Sequence, residues 1–230
     1  MIFKDKKVLI FDFDGTLIDS VPDLADALNA MLNRLQKEPF DEETIRHWVG
    51  NGAETLVKRA LLGSSDITPF KDHELFKEAL PIFLTYYTQK CADKTILYPN
   101  VRETLQSLKE MDYWLTIVTN KPYAFIEPIL KQLSLDDLFC ITLGGDSLDE
   151  KKPSAKPLLH ICDKLHCSTK EAVMIGDSKN DIIAATQANI ESIAVSYGYN
   201  YGEDIKSYKP TVVVDNFKDI LSLLGKADAE

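Results

Sequence analysis

The sequence predicts an α/β protein: a parallel sheet with helical crossovers, interrupted by an inserted group of helices. Three observations carry this reading. Short, continuously apolar runs alternate with longer helical patterns. The interval between the first run and the second is far too long for one crossover and reads as several helices. Polar clusters stand directly behind three of the runs.

The runs are residues 8–11, 115–118, 141–143, 172–175, 193–195 and 212–214. Strands covered on both faces read in this way, apolar throughout rather than alternating. Helices are expected at 22–36, 42–49, 53–62 and 72–90 in the insertion, and at 101–111 and 181–188 after it. Pro22 suits a first helical turn, where its missing N–H is not needed. Asn100 suits an N-cap, and Asn189 the left-handed residue that closes a helix. The expected organisation is a discontinuous core domain, residues 1–18 and 94–230, holding a helical domain of residues 19–93, with a frayed end over 225–230.

Of 230 residues, 36 are Asp or Glu and 26 Lys or Arg, a formal charge of -10. This balance speaks against a nucleic-acid partner, which requires clustered cations to neutralise phosphates, and against an anionic membrane surface. No apolar stretch approaches the roughly 18 residues of a membrane span. Asp12 and Asp14 break the first apolar run, unlike a signal peptide, so a cytoplasmic protein is expected, as monomer or homodimer. Cys91, Cys140, Cys162 and Cys167 are scattered, which suits a reducing compartment. His160, Cys162, His166 and Cys167 match no zinc spacing and are read as part of one amphipathic helix with Leu158, Leu159, Ile161 and Leu165.

Ligands of open α/β sheets bind at the carboxyl ends of strands, which directs attention to the polar clusters. The first is Asp12-Phe13-Asp14-Gly15-Thr16. An extended segment puts Asp12 and Asp14 on one side, and Gly15 permits a sharp turn. Carboxylates this close repel, so either one holds a proton or a cation lies between them. Mg²⁺ is the natural candidate, since it takes hard oxygen ligands and keeps water for a phosphate. The second cluster is Thr119-Asn120-Lys121, whose hydroxyl and amide can hydrogen-bond a phosphoryl oxygen, although the same residues also make an ordinary strand-to-helix connection. The third, Gly176-Asp177-Ser178-Lys179-Asn180-Asp181, places Asp177 and Asp181 near a strand end, where helix capping competes with metal binding. Between the last two, Lys152 precedes Pro153 and offers an ammonium to an anion. In the insertion, Gly50 and Gly52 flank Asn51, a segment that serves either as a small-anion cradle or as a plain helix-to-helix turn.

In this order, Asp12-x-Asp14-Gly15-Thr16, Thr119, Lys152 and Gly176-Asp177-x-x-x-Asp181 are similar to the four motifs of the haloacid dehalogenase superfamily of phosphotransferases, and the match spans nearly the whole chain. Residues 48–54 and Thr119-Asn120-Lys121-Pro122 resemble the branch that contains phosphoglycolate phosphatases. The resemblance implies a Rossmann-like core with a small α-helical cap, and a Mg²⁺-dependent phosphatase for a small phosphorylated metabolite such as 2-phosphoglycolate. It implies Asp12 as nucleophile, Asp14 as acid and then base, and Thr119 and Lys152 on the phosphoryl oxygens. Asp12, the Asp14 carbonyl and Asp177 would hold the metal, supported by Asp181. Gly15, Thr16, Asn120 and Lys121, with Asn51 and Gly52 from the cap, would bind substrate.

Alternatives within the superfamily are a phosphatase for pyrophosphate, a nucleotide or a sugar phosphate, and a phosphomutase. Such mutases carry a histidine five residues beyond Asp19, where this chain has Leu24. A dehalogenase would lack Asp14. From another class, a signalling receiver also phosphorylates an aspartate, but with about half this length and on a middle strand.

Overall fold

Residues 2–224 are described by the computed structural model, and the frayed end expected at 225–230 lies outside them. The chain runs β1 (Val8–Phe11), β2 (Ile18–Asp19), α1 (Val21–Arg34), α2 (Glu42–Arg46), α3 (Ala53–Leu62), α4 (His73–Lys90), β3 (Ile96–Leu97), α5 (Val101–Glu110), β4 (Trp114–Val118), α6 (Ile126–Gln132), β5 (Ile141–Leu143), α7 (Lys156–Lys164), β6 (Ala172–Gly176), α8 (Lys179–Ala188), β7 (Glu191–Val195), β8 (Val212–Val214) and α9 (Ile220–Leu223). Six strands form one parallel sheet in the order β5-β4-β1-β6-β7-β8. All six apolar runs are therefore strands. β1 is central and buried at every position, with Phe11 level with Ile117 on one side and Ile175 on the other.

Alternation along β1 divides the interior. Val8 and Ile10 join a cluster with Ile161, Met174 and Ala185, while Leu9 and Phe11 face the opposite layer. That second layer continues without a break into Leu24, Leu28, Phe83 and Tyr87 of the inserted helices. In α4 the buried residues Ala79, Phe83 and Tyr87 recur every fourth position, the spacing of one helical stripe. This stripe packs on α1 and α3. The Phe83 and Tyr87 rings stack at 5.7 Å, and Tyr87 meets Phe125, ahead of α6, edge-on at 4.7 Å.

Where the chain leaves the sheet and returns, β2 and β3 pair antiparallel, Ile18 opposite Leu97 and Asp19 opposite Ile96. Beside them the buried Asp23 carboxylate accepts from the Lys94 and Thr95 amides and the Thr95 hydroxyl. One charge with this many donors ties α1 to the returning strand.

Four local expectations change. The helix expected over 42–49 ends at Arg46: the Trp48 amide donates to the Ile45 carbonyl, three residues back, instead of to Thr44, and Gly50, at φ 117°, is outside the helical region. Asn100 precedes α5 in a left-handed conformation, and its amide donates to Asn216 rather than capping the helix. α8 starts earlier than expected because Ser178 and Asp181 form a capping box. α7 stops at Lys164, so His166, at φ 51°, and Cys167 lie beyond the helix that was expected to carry them. Asn189 closes α8 in the left-handed region, as expected. Among the described residues no helix is long and apolar enough to cross a membrane.

Candidate active site

The register of β1, β4 and β6 brings their carboxyl ends level, so the residues just beyond them, Asp12, Thr119 and Asp177, converge at one edge. Gly15, at φ 87°, turns the chain away after Asp14. A Cβ at Gly15 would stand 2.3 Å from Asp177 Oδ2, and one at Gly198 would stand 2.2 Å from the Asp177 Cβ, so backbone closes on this carboxylate from two directions.

Asp12, Asp177 and Asp181 are buried, and a carboxylate oxygen of each lies within 4.8 Å of the others. The Lys152 ammonium bridges two of them, 2.8 Å from Asp12 Oδ1 and 2.6 Å from Asp181 Oδ1. Thr16 Oγ1 and the Tyr199 amide donate to the two oxygens of Asp177 at 2.7 and 2.6 Å. The Ser178 amide and hydroxyl donate to Asp181 Oδ2. Burial, reinforced by repulsion from Asp181, raises the Asp12 carboxyl to about 7, and burial with Asp12 alongside raises Asp177 well above the usual carboxylate range. Burial alone would lower the Lys152 ammonium, but Asp12 and Asp181 raise it overall. Three acids against one ammonium, all with hard oxygen donors, fit a divalent cation of the Mg²⁺ type.

Asp14 is held differently. Its Oδ1 accepts from Ser20 Oγ at 2.5 Å and from the Lys121 ammonium at 2.9 Å. The Asp-x-Asp pair therefore relieves its repulsion through two lysines, Lys152 for Asp12 and Lys121 for Asp14, a solution the sequence reading did not consider. Burial opposes the charge on Lys121, yet Asp14 raises its pKa overall.

Between the strand ends and the inserted helices is a cavity of about 40 Å³. Asp12, Asp14, Thr119, Asn120 and Lys121 line one side, and Leu24, Leu56, Phe83 and Tyr87 the other, with Gly52 and Ala53 at the start of α3. Thr119 Oγ1 accepts from the Lys121 amide. The Asn120 amide group donates to the carbonyls of Gly50 at 3.0 Å and Lys152 at 2.9 Å, which fixes its orientation and leaves Oδ1 buried without a partner. Asn180 also donates to the Gly50 carbonyl, at 3.1 Å. That carbonyl of the insertion is thus gripped by two amides of the sheet layer.

Other residues of the insertion are placed as follows. Asn51 does not line this cavity; it lines an outer groove, and its carbonyl accepts from Lys151. Arg46 pairs with Asp19 and Glu42, and Lys58 with Glu54. Three contributors were not anticipated: Ser20, which donates to Asp14; Tyr199, whose hydroxyl donates to Asp19 and accepts from the Ser20 amide; and Gly198. The last two sit in Ser196-Tyr197-Gly198-Tyr199-Asn200-Tyr201, a polar segment behind a predicted strand just like the other three clusters, and that position was the available signal.

Comparison with known proteins agrees with this geometry. The family model for haloacid dehalogenase-like hydrolases matches residues 9–195. A phosphoglycolate phosphatase of Colwellia psychrerythraea strain 34H is 51% identical, covering 98% of this chain and 100% of its own. One from Psychrobacter arcticus is 49% identical, covering 97% of each. The crystal structure of a predicted phosphoglycolate phosphatase from Haemophilus somnus 129PT superposes with a TM-score of 0.90 at 38% identity, over 96% of this chain and 98% of that one. The chain belongs to the haloacid dehalogenase-like hydrolases.

Proposed function

We propose that this hydrolase is a Mg²⁺-dependent phosphatase of small phosphomonoesters, foremost 2-phosphoglycolate, which it splits into glycolate and inorganic phosphate through an aspartyl phosphate on Asp12. The observation that carries the reading is the separation of the two strand-end carboxylates. Asp12 belongs to the acid cluster around Lys152, whereas Asp14 lies outside it, against Lys121 on the cavity wall. The pair is thereby suited to two different tasks. The substrate is supported by the relatives named phosphoglycolate phosphatase and by the small size of the cavity, which suits a phosphoester of few atoms.

In the first step an Asp12 oxygen bonds to phosphorus as the ester P–O bond breaks, and Asp14 gives its proton to the departing glycolate oxygen. In the second, Asp14 takes a proton from water as that water attacks phosphorus, and the bond to Asp12 breaks to release phosphate. Thr119 and Lys152 hold the phosphoryl oxygens as charge moves between them. Gly15 and Thr16 set the turn that presents Asp14, while Asn120 and Lys121 on the core side, with Gly52 opposite, contact substrate. Asp12, Asp177 and the Asp14 carbonyl would hold Mg²⁺, with Asp181 in support, and when bound the ion supplies positive charge that offsets the acids and the phosphate.

Residues 19–93 act in this reading as a lid over a core of 1–18 and 94–230, keeping bulk water from the phosphoenzyme. The four free thiols support action in a reducing cytoplasm. The test is Asp12→Asn: phosphate release from 2-phosphoglycolate with Mg²⁺ should fall by about 10³-fold or more while the circular dichroism spectrum stays native. Turnover near that of the parent protein would remove Asp12 as nucleophile.

A further inference from the structure

Among the described residues two buried side-chain polar atoms have no hydrogen-bond partner, the Tyr87 hydroxyl and Asn120 Oδ1. Both residues line the cavity. A buried hydroxyl is ordinarily partnered, so an unpaired one beside a cavity marks where a ligand atom belongs.

The position of this hydroxyl is fixed by packing. Tyr87 is 1% exposed, stacked on Phe83 and edge-on to Phe125. The Lys121 ammonium stands 5.0 Å from the Tyr87 ring centroid and close enough to the hydroxyl for the two to interact, although no well-formed hydrogen bond joins them. Burial pushes the Tyr87 phenol well above its ordinary pKa, so the group stays a neutral donor. Lys121 is the single cation among the residues lining the cavity; its ammonium holds Asp14 at 2.9 Å on one side, and on the other the wall is apolar, with Leu24, Leu56, Phe83 and Phe125. An O–H donor next to an ammonium on an apolar wall suits an oxygen anion, and with the phosphoryl group assigned to Asp12, the anion left to occupy this place is a carboxylate on the leaving group.

We propose that Tyr87 is a specificity residue that, together with Lys121, hydrogen-bonds the carboxylate of the leaving group, so that the enzyme selects phosphoesters of short hydroxy acids over those of neutral alcohols of the same size. This rests on the phosphatase reading above and identifies which groups recognise the substrate. A site built to bond a substrate group discriminates strongly against an analogue lacking that group, because its own polar atoms are then left unpaired.

Tyr87→Phe keeps the ring and removes only the hydroxyl. The experiment measures kcat/KM for 2-phosphoglycolate and for ethyl phosphate, which replaces the carboxylate by a methyl group, in the parent protein and the variant. The parent should prefer 2-phosphoglycolate, and the variant should reduce that preference about tenfold or more, chiefly through KM for the acid. The methyl ester of 2-phosphoglycolate, tested on the parent protein, should lose the advantage of the acid without any mutation. An unchanged preference in a natively folded Tyr87→Phe overturns the role of Tyr87 alone. If the parent protein treats the acid, its methyl ester and ethyl phosphate alike, the phosphoglycolate reading fails and the carboxylate pair falls with it.

Discussion

Lys152→Met replaces a buried ammonium by an apolar side chain of similar length at the point where two buried carboxylates share it. Its nitrogen lies 2.8 Å from Asp12 and 2.6 Å from Asp181. At an effective dielectric of about 20, each contact corresponds to an attraction of about 6 kcal/mol, comparable with the several kcal/mol needed to take each ion out of water. The intact cluster is thus near balance, and its removal is not. Deleting the lysine leaves the carboxylates facing each other without compensation, a change that typically destabilises by about 3–5 kcal/mol. For a chain of this size the melting temperature should drop by on the order of 10 °C. Differential scanning calorimetry in EDTA reads this directly, and a second scan with Mg²⁺ should recover part of the loss because the ion supplies the missing positive charge. Phosphate release should also fall by about 10²-fold or more, since the ammonium no longer meets the phosphoryl group. A melting point within about 2 °C of the parent in EDTA, with activity intact, would refute the picture of a lysine holding the acid cluster together.

The elevated carboxyls predict a pH dependence of metal stabilisation. A folded-state pKa of about 7 for Asp12, above its value of 3.8 in the unfolded chain, means that the folded state binds the proton more tightly, so stability contributed there is present at low pH and is lost as pH rises through 7. Mg²⁺ competes with that proton, so the rise in melting temperature on adding Mg²⁺ should grow from pH 5 to pH 8; a constant or shrinking difference would contradict it. Gly198→Ala should weaken Mg²⁺ binding by displacing Asp177, whose Cβ stands 2.2 Å from where the new methyl group would sit. Titration calorimetry should show at least a tenfold rise in Kd, and an unchanged Kd would mean that the segment can shift without moving the carboxylate.

What could be read from the chain follows from how locally each feature is encoded. The six core strands are legible because burial on both faces demands unbroken apolar runs, and Asp12, Thr119 and Asp177 are legible because polar residues directly follow those runs. β2 and β3 are two residues each and leave no periodic trace. The division of labour between Lys152 and Lys121 depends on partners distant in sequence, Asp12 and Asp14, and no local pattern encodes such a choice. Tyr87 sits in an amphipathic stripe where an aromatic residue simply reads as core; only its unpaired hydroxyl distinguishes it, and a missing bond leaves no mark in a sequence. The end of α2 turns on a single amide, that of Trp48, reaching the Ile45 carbonyl instead of Thr44, a choice between neighbouring carbonyls that no periodicity records.

The Gly50 carbonyl, held by Asn120 and Asn180, also bears on how interchangeable the parts of such enzymes are. The acceptor is a main-chain atom, so no substitution at position 50 deletes it, although the φ of 117° there and the Tyr201 hydroxyl 2.5 Å from any added Cβ keep the place for glycine. The two donors adjoin Thr119 and Asp181, so the same strand-end segments that handle the phosphoryl group and the acids also hold the insertion. A chimera that grafts a relative's helices onto this sheet would succeed or fail according to whether the incoming loop delivers an oxygen to that spot. Parts chosen by matching the insertion's side chains alone would overlook this acceptor.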